Sequence, residues 1–227
     1  MTNHINCKNT GGLLVYRDLV KMDASVWSNS MCNELGRLSQ GEGKNAGADT
    51  IEFIFHKDKP KYRRAAYVRA VCNIRPQKKD NRRTRLTAGG NIIDYSGEVS
   101  TPTSDLTTTK LHVNSAISDV KLRYMCIDVK YFHLNNQMGR SEYIVIQISI
   151  IPQEFVDKYN LKGKVHNGYI FTLVTKGMYV LPQAGRIVHD AIAKRLETYG
   201  YRPSRKPLRL WTHNSLPINF TLVVDDF

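Results

Sequence analysis

The run FTLVVDDF at Phe220–Phe227 leads β-branched and apolar residues into two adjacent carboxylates, Asp225 and Asp226. Aspartate is a poor strand former, so the pair marks the end of a strand. Neighbouring carboxylates repel, and a divalent cation offsets that repulsion. The layout recurs at Tyr124–Asp128, where YMCID again runs apolar residues into one acid. If the two strands lie side by side, Asp128, Asp225 and Asp226 converge on one point. Three converging carboxylates suit hard, oxygen-loving ions such as Mg2+. Two such ions, about 3.5–4 Å apart, activate a 3′ hydroxyl and steady a departing pyrophosphate. Taken alone, an Asp-Asp pair after a strand is more often a polar turn than a metal site.

Charge supplies a second clue. The 227 residues hold 33 Lys and Arg against 20 Asp and Glu, a net +13. Residues 57–85 hold twelve of the bases and two of the acids, so this stretch alone carries +10 and the other 198 residues +3. A localised positive field suits a polyanion, either nucleic acid or a nucleoside triphosphate. A solvated basic loop is the plainer alternative. Within the stretch, Lys78, Lys79 and Arg82 are candidate nucleic-acid contacts.

Other chemistries find little support. Cysteines stand at positions 7, 32, 72 and 126, without the spacing of a zinc knuckle or the density of a disulfide scaffold. They read as reduced thiols in a reducing compartment. The seven histidines show no HExxH or paired metal spacing. No window approaches 18 uninterrupted apolar residues, so no membrane partner is expected. Met1–Gly12 is polar and lacks the apolar core of a signal peptide. Trp27, Trp211, Tyr62, Tyr67 and Tyr95 can stack on bases, although packing is the ordinary fate of such rings. Met138 and Met178 read as packing residues.

These residues need elements to position them. Residues 1–22 read as loosely structured. Asp23 or Ser25 caps a helix to about Gln40, whose Trp27, Met31, Leu35 and Leu38 form one apolar stripe. Thr50–His56 alternates like a strand. Tyr67–Ile74 and Arg83–Ala88 form a hairpin with a charged tip, ended by Gly89 and Gly90. Asp105–Ser118 is a helix capped by Ser104 or Asp105, with Leu106, Val113 and Ile117 inward. Leu122–Asp128, Glu142–Ser149 and Tyr169–Thr175 read as strands. Pro152 opens a short helix to about Tyr159. Gln183–Gly200 is a helix with Ile187, Ala191 and Leu196 on its inner face. Leu208–Thr212 and Ile218–Asp225 are strands. The order is not a strict alternation, so the class expected is α+β.

Six segments, taken in order, resemble the reverse transcriptase of copia-type LTR retrotransposons. They are NELGRLSQG (Asn33–Gly41), VCNIRPQK (Val71–Lys78), RLTAGGN (Arg85–Asn91), IDVKYFHLN (Ile127–Asn135), KGMYVLPQAG (Lys176–Gly185) and VVDD (Val223–Asp226). Each is weak alone; their order and spacing over about residues 27–227 give the likeness its weight. The resemblance implies a right-hand polymerase with fingers and a partial palm, truncated after the catalytic Asp-Asp turn. Residues 1–49 would be an N-terminal extension with one helix, and 50–120 fingers with the basic hairpin. Residues 121–227 would be palm, interrupted by a fingers segment at about 136–182. The thumb and RNase H region would lie outside this chain.

The implied reaction is RNA-directed DNA synthesis, in which a primer 3′ hydroxyl attacks a dNTP and pyrophosphate leaves. Asp128, Asp225 and Asp226 would hold two Mg2+ ions, with Mn2+ able to replace them. Arg83 and Arg85 would meet the triphosphate, His133 the sugar, and Gln183 the nucleotide and template base. The implied partners are an RNA template, a DNA primer, a dNTP and the rest of a pol polyprotein. The implied setting is intracellular, in a cytoplasmic virus-like particle or the nucleus. Three departures qualify the likeness. His133 stands where the family usually carries Tyr or Phe. Val180 stands where it carries Gly, and a positive φ there would cost about 1–3 kcal/mol. The chain also stops before the return strand of the Asp-Asp turn, which predicts an inactive fragment. The alternative is a non-catalytic, basic RNA- or DNA-binding remnant.

Overall fold

A computed structural model describes residues 5, 12–43, 45–78, 81–129, 131–204 and 210–223. In chain order the elements are α1 (Tyr16–Met22), α2 (Ala24–Leu38), β1 (Gly41–Glu42), β2 (Asn45–Ala46), β3 (Ile51–Ile54), β4 (Ala66–Ile74) and β5 (Arg82–Ala88). They continue with α3 (Leu106–Ile117), β6 (Gln137–Gln147), α4 (Gln153–Lys158), β7 (Tyr169–Lys176), α5 (Ala184–Thr198), β8 (Tyr201–Pro203), β9 (Leu210–His213) and β10 (Asn219–Thr221). Helices and strands are interspersed, and the largest sheet is mixed, so the class is α+β. Among the described residues no helix is long and apolar enough to cross a membrane. The chain forms two compact units, one of Met1–Tyr95 with His133–Pro182, the other of Ser96–Phe132 with Gln183–Phe227.

The first unit is built on a five-stranded sheet in the order β3-β7-β6-β4-β5. Its pairs are antiparallel except β4 with β6, which run parallel where Ala66 and Tyr67 meet Ile144 and Val145. Alternation along the strands fixes two faces. Ile51, Phe53, Ile144, Ile146, Ile170, Thr172 and Val174 are buried, and the residues that alternate with them are half-buried or exposed. Phe155 at the centre of α4 fills the buried side, 5.9 Å from the Phe53 ring, and stacks on Tyr159 at 4.3 Å.

Helix α2 explains why β5 can be an edge strand. Asp23 caps it, accepting from the Val26 amide at 3.3 Å, and Trp27, Met31, Leu35 and Leu38 are all buried. Its polar side chains meet the open backbone of β5. Ser30 Oγ accepts from the Thr84 amide at 2.8 Å, and Glu34 Oε1 accepts from the Leu86 amide at 3.0 Å. These contacts occupy donors that an exposed edge would offer to another chain. The short helix α1 falls within the stretch expected to be loose.

The second unit holds a three-stranded antiparallel sheet, ordered β10-β9-β8, with α3 and α5. Asp105 caps α3 by accepting from the Thr108 amide at 2.7 Å. The expected inner face of α3 is wrong: Leu106 and Ile117 are exposed and Thr108 is its buried residue. Helix α5 buries Ala184 and Val188, leaving Ile187 half-buried and Ala191 exposed. Gly200, at φ +82°, ends that region in the left-handed conformation.

The expected strand at Leu122–Asp128 is absent. Residues 122–129 have no regular structure, and Leu122, Tyr124, Met125, Ile127 and Val129 are exposed. A strand needs a neighbour for its backbone groups, and among the described residues the three-stranded sheet pairs only within 201–221. The expected strand from Ile218 appears as β10, and Asp225 lies outside the described residues.

Candidate functional site

The β4–β5 hairpin sets Val71 opposite Arg85 and Asn73 opposite Arg83. Thr84, Leu86 and Ala88 are buried, and Arg83, Arg85 and Thr87 alternate with them in half-buried positions. The Arg85 guanidinium lies 5.1 Å from the centroid of the Tyr179 ring. Arg37, from the last turn of α2, lies 5.5 Å from the same centroid, and its Nη1 donates to the Tyr179 hydroxyl at 3.2 Å. Two cations thus share one aromatic ring.

The balancing acid is Glu34. Its Oε2 accepts from Arg37 Nε at 3.1 Å, while Oε1 is engaged by the Leu86 amide. Burial, then the nearby Arg85, Arg37 and Arg75, push the Arg83 guanidinium down to about 10. It remains charged at neutral pH, in a place already crowded with positive charge. Arg85 Nε and Asn73 Oδ1 are buried without a hydrogen-bond partner among the described residues. A ligand with several anionic oxygens would offset that crowding and match the planar donor forks of arginine.

Tyr179 is held from behind. The Ala88 amide donates to its carbonyl at 3.3 Å. A Cβ on Gly90 would stand 2.2 Å from the Val180 carbonyl oxygen, so only glycine permits this approach. Val180 itself has φ +68°. The condition attached to the missing glycine is therefore met: a β-branched residue occupies the left-handed region. His133 is buried, with its ring edge-on to Tyr179 at 6.0 Å.

The structure brings Arg83, Arg85 and His133 into one neighbourhood around Tyr179. Lys78 is exposed beside the hairpin turn, its amide donating to the Arg75 carbonyl at 3.0 Å. Arg82 is half-buried, and its carbonyl accepts from Ser30 Oγ at 3.4 Å. Lys79 lies outside the described residues. Gln183 belongs to the second unit, where it is buried at the N-terminal cap of α5 without a side-chain cap bond. Asp128 is also in the second unit, exposed in the irregular segment. Asp225 and Asp226 lie outside the described residues; the chain before them is anchored where the Ser104 amide donates to the Leu222 carbonyl at 3.0 Å.

Among the described residues no three or more His, Cys, Asp and Glu side chains gather as a metal site. The oxygen ligands and exposure of Asp128 suit a hard ion, and the other two members of the expected set lie outside the described residues. Cys32 and Cys72 are buried free thiols and Cys126 is an exposed one. Burial pushes Cys72 up to about 11 and Cys32 higher still, so neither serves as a nucleophile at neutral pH.

Arg37, Glu34 and Tyr179 were not singled out in the sequence. All three stand inside the motif segments Asn33–Gly41 and Lys176–Gly185, so the signal was there. It lacked any indication that α2 and the segment after β7 reach the same hairpin. No protein-family model, curated protein or solved structure matches the chain.

Proposed function

We propose that the chain is the fingers and adjoining palm of a copia-type RNA-directed DNA polymerase. The observation that carries this reading is the placing of Arg37 and Arg85 over the Tyr179 ring, with Arg83 crowded by Arg85, Arg37 and Arg75, a partly desolvated cationic face suited to a polyphosphate. The return of His133–Pro182 to the first unit supports it, because the resemblance implies a fingers segment at about 136–182 within the palm. Arg83 and Arg85 would take the triphosphate of the incoming dNTP, with His133 beside its sugar and Gln183 near the base. Lys78, Lys79 and Arg82 would follow the nucleic-acid backbone. Asp128, Asp225 and Asp226 would hold Mg2+ or Mn2+, which supplies charge neutralisation at the α-phosphate. A second reading, a basic RNA- or DNA-binding remnant, is favoured by the exposed and irregular setting of Asp128.

Template-directed nucleotide selection separates the two. The full chain is mixed with poly(rA)–oligo(dT) and Mg2+ or Mn2+, and retention of labelled dTTP and dGTP is compared. The expected result is about tenfold tighter dTTP retention, a difference of about 1.4 kcal/mol. That preference should disappear in Arg83→Gln/Arg85→Gln. Any primer extension should vanish in Asp128→Asn. Equal retention of both nucleotides, whatever the template, overturns the polymerase reading and leaves the remnant.

A further inference from the structure

We propose that the outward face of the five-stranded sheet, at its β3–β7 edge, holds a nucleobase of single-stranded nucleic acid against His56, His166 and Phe171. Adjoining phosphates would lie on Lys59, Arg63 and Arg64. This site does not rest on the polymerase reading. It uses β3, β7 and the turns beside them, whereas the arginine hairpin ends in β5, the opposite edge strand of the sheet.

The rings are placed by the strand pattern. Phe171 pairs with Ile54 and Val145 across its two neighbouring strands, between the buried positions Ile170 and Thr172, so it points away from the core. His56 opens the single turn that follows β3. His166 precedes β7, and its amide donates to the Tyr169 carbonyl at 2.9 Å. The two imidazoles stack at 3.9 Å with only 2° between their planes, and the Phe171 ring lies 4.8 Å from His56. Beside them is an open cavity of about 460 Å³, lined by His56, Lys59, Arg63, Arg64, Tyr169 and Phe171 among others. That volume lies within the range of small-molecule sites and admits a nucleoside.

The chemistry favours a base with its phosphates. Residues 57–64 contain five Lys and Arg against one Asp. Arg63 is fixed by Glu142 at 2.7 Å and by the Ser141 carbonyl at 2.8 Å. Lys59 Nζ donates to the Arg63 carbonyl at 2.6 Å, and Arg64 is exposed. Desolvation, then His166 and Lys59, lower the His56 imidazole from its ordinary value and so favour its uncharged form as a flat face. Flat rings edged by fixed cations are the elements of a stacking platform for single strands. A metal fits less well, since parallel imidazoles do not aim their nitrogens at a common point and no third ligand joins them among the described residues. Stacking uses the π-face that every base has, so the site should accept RNA and DNA alike.

The test uses the full chain, without dNTP or divalent metal, and fluorescein-labelled oligo(rU) and oligo(dT) followed by anisotropy. His166→Ala should weaken both oligonucleotides about tenfold, and His166→Trp should restore or exceed wild-type affinity. Arg64→Gln should lower the salt slope by about 0.7. Unchanged thermal unfolding certifies the fold of each exposed-site variant. Wild-type affinity in both His166→Ala and Arg64→Gln overturns the proposal. So does competition by polyglutamate as strong as by unlabelled oligonucleotide, which would mark a protein-binding face. Equal binding of a duplex would show that charge alone acts there, and would overturn it too.

Discussion

At the scale of single residues, the backbone at Val180 ties the arginine cluster to a conformational cost. A left-handed conformation costs an L-residue about 1–2 kcal/mol, and a β-branched side chain is among the least suited to it. The conformation persists because both neighbours are fixed, with the Tyr179 carbonyl bonded to the Ala88 amide and the Val180 carbonyl packed on Gly90. What the strain secures is the Tyr179 ring, presented to Arg37 and Arg85 together. Val180→Gly should relieve it. The gain is offset by about 0.5–1 kcal/mol of added unfolded-chain entropy. Some burial is lost as well, since Val180 is only 49 % exposed. The net expectation is a gain of at most about 1 kcal/mol, seen as a rise of no more than about 2–4 °C in Tm for a chain of this length. A lower urea midpoint would mean that Val180 is relaxed and that its contacts outweigh its backbone cost.

Elements join the residues into a site, and α2 shows how. One helix buries an apolar stripe, covers the edge of β5 and delivers Arg37 to the ring of Tyr179. Glu34 links the last two tasks by accepting from both the Leu86 amide and Arg37. Glu34→Ala leaves a buried amide and a largely buried guanidinium without their acceptor, a loss expected to cost about 3 kcal/mol. Glu34→Gln keeps an acceptor for Leu86 and should cost less. Urea unfolding of the two variants measures this; a wild-type midpoint for Glu34→Ala would show that β5 holds its place without the helix. The same elements show what the sequence made legible. The stripe of α2, the β4–β5 hairpin and the caps at Asp23 and Asp105 are local patterns, and each stands where its residues predicted. Leu122–Asp128 has an equally apolar pattern but no paired neighbour among the described residues, and pattern alone does not supply one. Helix α3 is amphipathic in sequence, yet Leu106 and Ile117 are exposed, because burial depends on what packs against the stripe. Arg83 and Arg85 were visible as charge; Arg37 and Tyr179 became part of their site only through contacts between distant segments.

On the scale of the whole molecule, charge is divided as unevenly as it is along the chain. The first unit holds twenty-two Lys and Arg against twelve Asp and Glu, and the second eleven against eight. The first unit therefore carries +10 and the second +3, and the first owes its entire excess to residues 57–85. The fold spreads that excess along one sheet, from the turn after β3 to the β4–β5 hairpin. Polyanion binding should accordingly be a property of the first unit, a claim that salt dependence can test. Each phosphate neutralised on a single strand contributes about 0.7 to the slope of log K against log salt. Replacing Lys78, Lys79 and Arg82 with Gln should lower the slope for oligo(rU) by about 2. Replacing Lys110, Lys194 and Arg195, three exposed bases of the second unit, should leave it nearly unchanged. Both triple variants remove the same formal charge, so net charge alone predicts equal losses, whereas a local contact predicts the asymmetry. Equal losses would therefore mean that the chain attracts nucleic acid as a diffuse cation, and the hairpin would have no special part in holding it.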